Sequence, residues 1–103
     1  MTTLRDVYQI DLHVGELICE IGYQDHATPL PFKIVTVEFG EVHLAKHSPG
    51  VSQRKASPFE VQPKIYGDDW EFHHAVTVEH LTAKCVRWSD LAKYNNEQKA
   101  SRI

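Results

Sequence analysis

Apolar and polar residues alternate most regularly from Phe32 to His47, FKIVTVEFGEVHLAKH. Successive side chains on a strand point to opposite faces, so this alternation marks half-buried strands. The β-branched residues Ile34, Val35, Thr36, Val37 and Val42 agree with that reading. Gly40 falls at the centre, and glycine tolerates the positive φ that two-residue hairpin turns demand. With Gly40-Glu41 as the turn, Phe39 faces Val42, Val37 faces Leu44 and Val35 faces Lys46. The inward face is then Val35, Val37, Phe39, Val42 and Leu44. The outward face carries Ile34, Thr36, Glu38, His43, Ala45 and His47, with Glu38 directly across from His43. A hairpin alone is marginal in water, so further strands or a helix must cover the apolar side.

The rest of the chain supplies candidates for that cover. Residues 4–14 alternate, with Tyr8, Ile10 and Leu12 against Val7, Gln9 and Asp11, and predict a strand. Residues 16–23, ELICEIGY, predict a second strand in which Gly22 marks a bulge or a close backbone approach. Residues 24–31, QDHATPLP, form a loop, and 48–58, SPGVSQRKASP, an exposed one. Residues 59–66 are extended with a break at Pro63, and Gly67-Asp68-Asp69 is a turn. Residues 70–88 fit two periods. Period 2 aligns Phe72, His74, Val76, Val78 and His80, whereas period 3.6 gathers Val78, Leu81, Cys85, Trp88 and Leu91. The run AVTV selects strand for 70–79, and strand is expected again for 83–88. Ser89-Asp90 then caps a helix over LAKYNNEQ, and 97–103 ends as a frayed tail.

These elements predict a mainly β fold, a small antiparallel barrel or sheet with a short C-terminal helix. The order of a strand after Gly15, a proline-containing loop, the hairpin and a late strand ending in VRWSDL is similar in layout to small SH3-like barrels. The alternative is an α+β fold with one long helix, about 77–96, on an antiparallel sheet. At 103 residues the chain suits a single domain, 1–103, large enough for one core without staples. Trp70, Phe72 and Trp88 are expected in that core.

Composition narrows the function classes. Hydrophobic content of 42% and charged content of 24% are ordinary for a globular protein. No apolar run reaches a membrane span, and the start lacks a basic segment followed by an apolar one, so no membrane partner and no signal peptide are expected. Cys19 and Cys85 sit in unrelated apolar contexts and read as reduced, buried thiols of a cytoplasmic protein. The net charge of −3 disfavours nucleic acid, whose binders carry a basic footprint. Charge is uneven: residues 1–45 hold seven acids against Arg5 and Lys33, while 46–103 hold nine bases against seven acids.

Seven histidines stand out, densest in DDWEFHHAVTVEH, residues 68–80. Histidine is both a common metal ligand and a general acid/base near neutral pH. The expectation is ordinary surface or core-edge histidines and no cofactor; the alternative, a divalent metal, would draw on Asp69, His73, His74 and His80, with Cys85 as a further candidate ligand. On a continuous strand, however, His74 and His80 are about 20 Å apart and the His73-His74 doublet points to opposite faces. No nucleophile elbow or phosphate-cradling glycine loop is present in the sequence. Arg54 and Lys55 in the 48–58 loop, with Tyr66 and Trp70, are the candidate binding residues, because long loops and interfacial aromatics favour recognition. The expected function is a non-enzymatic interaction module that binds a protein partner or itself, with no catalytic residue assigned. The alternatives are a small His-based or metal-dependent enzyme using 68–80, and a nucleic-acid module using Arg54, Lys55, Lys64, Lys84 and Arg87.

Overall fold

A computed structural model of the chain describes residues 3–21, 30–53 and 64–100. The strands are β1 (Leu4–Arg5), β2 (Asp11–Leu12), β3 (Leu17–Glu20), β4 (Phe32–Glu38), β5 (Glu41–His47), β6 (Ile65–Tyr66), β7 (Trp70–Thr77) and β8 (Cys85–Arg87). Helices α1 (Val78–Lys84) and α2 (Leu91–Ala100) flank β8. Strands β3 to β8 form one antiparallel sheet in the order β6-β7-β5-β4-β3-β8, and β1 pairs with β2 alone. The fold is mainly β with a short C-terminal helix, as expected, and of the two expected forms, barrel or sheet, the chain takes the open sheet.

The hairpin closes one residue earlier than the sequence suggested. Its turn is Phe39-Gly40, both at positive φ (53° and 78°), and the ladder pairs Glu38 with Glu41, Val37 with Val42 and Thr36 with His43. Positive φ at both central residues gives the mirror-image turn whose twist matches the flanking strands. A register shift at Val35 then brings Ile34 opposite Leu44. The bulge thus exchanges the faces of β4: Ile34 is fully buried with Val42 and Leu44, Val37 is partly exposed, and Phe39 points into solvent. The expected Glu38–His43 pair is absent; the His43 ring packs on Phe72 instead, at 5.4 Å between centroids.

Other corrections follow from local chemistry. The stretch 4–14 is not one strand; it turns back at Asp6 so that Leu4 faces Leu12, and both side chains enter the core. In the 48–58 loop, Val51 is buried in a 3-10 turn, Val51–Gln53, and 54–58 lie outside the described residues, as do 22–29 and 59–63. The strand expectation for 70–79 holds over Trp70–Thr77, but that for 83–88 holds only over Cys85–Arg87, because α1 intervenes. Thr77 takes an extended backbone and its Oγ1 accepts the N–H of His80, which starts the helix. The 77–96 region is therefore two helices and a strand rather than one helix. Trp88 is an exposed residue rather than a core one, and Trp70 and Phe72 are half-buried. Asp90 accepts from Arg87 Nε at 2.8 Å instead of capping α2, and α2 runs through the expected frayed tail as far as Ala100.

The core lies on one sheet face, where Ile18, Phe32, Ile34, Val42, Leu44 and Cys85 meet Leu4, Leu12 and Leu81 of α1. Both cysteines are free and buried. Among the described residues no helix is long and apolar enough to cross a membrane.

Candidate functional site

Three of the sequence-predicted metal residues come together at the edge of this core, though not as strand geometry implied. The β5–β7 ladder shifts register between Leu44↔His74 and Ala45↔Phe72, so His73 is the extra residue of a bulge. The bulge cancels the alternation of neighbouring side chains. His73 and His74 lie side by side, with their Nδ1 atoms 2.7 Å apart. The helix started by Thr77 then folds His80 back toward the sheet. Both His74 Nε2 and His80 Nε2 reach Oε1 of Glu20, at 3.1 and 3.3 Å. The His74 contact is a hydrogen bond, whereas the His80 contact has the distance but not the alignment of one.

Glu20 comes from β3, where it pairs with Cys85, and its side chain is only 14% exposed. Phe32 walls the cluster, its ring 5.0 Å from that of His73 and 5.1 Å from that of His74. Partial burial, then the neighbouring His74 and Lys46, push His73 below the ordinary histidine value. Burial pushes the Cys85 thiol up to about 12, with Glu20 and Cys19 adding to it, and raises Cys19 as well. Neither thiol is a ready nucleophile at neutral pH.

Asp69 does not join the histidines. It lies at the far end of β7, where its Oδ1 accepts the Gly50 N–H at 3.0 Å and its carbonyl accepts the Ser48 N–H at 2.6 Å. Among the described residues, no three His, Cys, Asp or Glu side chains converge to cage a metal ion. Of the binding candidates, Arg54 and Lys55 lie outside the described residues. Tyr66 and Trp70 pair across β6 and β7 and line an open groove of about 450 Å³ with Val14, Lys33 and Asp68. Lys33 Nζ stands 4.5 Å over the Trp70 ring.

A second feature is the hairpin tip. Phe39 is fully solvent-exposed, at 101% of its reference surface, and holds φ at 53°. Glu38 and Glu41 face each other beneath it. Reading the sequence missed both Glu20 and Phe39. Glu20 is distant in sequence from its histidines, and Phe39 resembled a core position because the turn was placed one residue late.

Comparison with known protein families, with characterised proteins and with solved structures finds no match.

Proposed function

We propose that this protein is a non-enzymatic interaction module that docks on a protein partner through the tip of the β4–β5 hairpin. The observation that carries this is Phe39. A left-handed backbone costs a non-glycine residue about 1–2 kcal/mol. Leaving a Phe side chain in water forgoes about 1.5–3 kcal/mol of burial. The hairpin turn requires the first, but fold stability gains nothing from the second, and an aromatic anchor entering a partner pocket recovers it. Glu38 and Glu41 directly opposite one another repel, and they surround the anchor with negative charge. The partner is accordingly a protein with an apolar pocket rimmed by Lys or Arg. The same carboxylates disfavour an anionic membrane surface. Two free buried thiols support a cytoplasmic setting. The reading keeps the strand–loop–hairpin layout of SH3-like domains, carried on an open sheet.

A photo-reactive phenylalanine analogue at position 39, compared with one at the exposed position Val14, tests the proposal in cells that make the protein. The expected result is one discrete adduct from position 39 only. The purified partner should then bind the Phe39→Asn variant at least tenfold more weakly, while that variant is as stable as the parent or about 1 kcal/mol more so, because Asn tolerates the turn. An adduct between two copies of the chain would identify self-association. Equal binding by Phe39→Asn, or no adduct specific to position 39, would overturn the reading.

A further inference from the structure

The His73-His74 doublet has a geometry that its place in a strand does not explain. Adjacent strand residues ordinarily diverge, and here a bulge turns both imidazoles to one side, with Nδ1 facing Nδ1 at 2.7 Å. In the hydrogen-bonded state a single proton lies between them. His74 donates Nε2–H to Glu20 when neutral, so its Nδ1 is the lone-pair atom and His73 supplies Nδ1–H. Moving the His73 proton to its own Nε2 frees a second lone pair at no change in net protonation. Both Nδ1 atoms then carry lone pairs close enough to share one ion after a small rotation of the rings.

The geometry points to a two-nitrogen chelate for a divalent transition ion, formed by Nδ1 of His73 and Nδ1 of His74, with Glu20 as the carboxylate that orients His74. With metal–nitrogen bonds of about 2.0 Å, ligands at right angles are about 2.8 Å apart and tetrahedral ligands about 3.3 Å. The observed 2.7 Å is the hydrogen-bonded separation and lies just below both values; Cu²⁺ heads the affinity order of divalent ions for nitrogen ligands, and water takes its remaining positions. A carboxylate on the far nitrogen of a ligating histidine fixes its tautomer and raises its basicity, which is the position Glu20 holds against His74. Phe32 against both rings restricts their rotation. The site is independent of the hairpin tip, which lies in a different turn, so the two proposals stand or fall separately.

Titration of the purified full chain with Cu²⁺ at pH 7.4, followed by visible absorption and electron paramagnetic resonance, tests the assignment. The expected spectrum reports two imidazole nitrogens on one ion per chain. His73→Ala and His74→Ala should each weaken that site at least tenfold, with His47→Ala unchanged as the control. Glu20→Gln should weaken it about 10- to 100-fold while leaving the two-nitrogen signature in place at saturation. Circular dichroism confirms that each variant is folded, and His73→Ala, altering an exposed bulge residue, is the one least able to disturb the core. Copper bound equally well by His73→Ala, or a spectrum without two coupled nitrogens, would overturn the proposal.

Discussion

Asp6 shows how much one side chain organises in a small domain. It is fully buried in the loop between β1 and β2, and its Oδ1 accepts the N–H groups of Tyr8 at 2.9 Å and Ile10 at 3.0 Å. Its own N–H donates to the Ile10 carbonyl, and Gln9 beside it takes a positive φ of 63°. The Asp carboxylate thereby supplies the acceptors that a five-residue return would otherwise lack. Asp6→Ala should cost about 1–3 kcal/mol in urea unfolding, because two part-buried donors lose their acceptor. Asp6→Asn keeps an oxygen in place and should lose less. Equal losses for the two variants would show that the turn does not depend on that oxygen.

At the scale of elements, α1 decides whether the histidine cluster exists. The β-branched run before it favours extended structure, and β7 continues to Thr77. There the threonine hydroxyl accepts from His80 N–H at 3.1 Å, Glu79 occupies the first turn and Lys84 the last, and Leu81 enters the core with no exposed surface. These terms together outweigh the strand preference of Val78. Thr77→Ala should destabilise the protein by about 1 kcal/mol in thermal or chemical unfolding. A Thr77→Asp variant, which retains a capping oxygen, should restore most of that loss. If Thr77→Ala unfolds like the parent, Leu81 burial alone holds the helix.

For the whole molecule, the longest tie runs from the N-terminal loop to α2. Tyr8 Oη donates to Glu97 at 2.7 Å, its ring meets Tyr94 edge-on at 6.5 Å, and Lys93 Nζ lies 4.7 Å over it. The hydrogen bond to Glu97 pushes the Tyr8 hydroxyl up to about 12 from its ordinary value near 10. Since the folded value is the raised one, the contribution of this tie is fully present below pH 10 and is lost as pH rises through about 12. In an alkaline ultraviolet titration one tyrosine should therefore ionise late. Glu97→Gln should move that tyrosine back toward 10, and Tyr8→Phe should remove it from the titration. An unchanged curve in Glu97→Gln would show that α2 docks without this bond.

The sequence by itself determined the mainly β class, the central hairpin, most of the strand at 70–77, the late strand and the two buried thiols. Each rests on local alternation, β-branching or composition, which act over a few residues and need no distant partner. It also named His73, His74 and His80. What only the tertiary structure decided was the register and the partners. The turn moved to Phe39-Gly40 because a bulge at Val35 lets Ile34 join Val42 and Leu44 in the core, a gain that depends on what covers the sheet. The histidines converged because a second bulge and a capped helix redirected them onto Glu20, more than fifty positions away in the chain. Bulges and long-range carboxylates leave no periodic trace in a sequence. Their positions are set by the packing of the whole sheet.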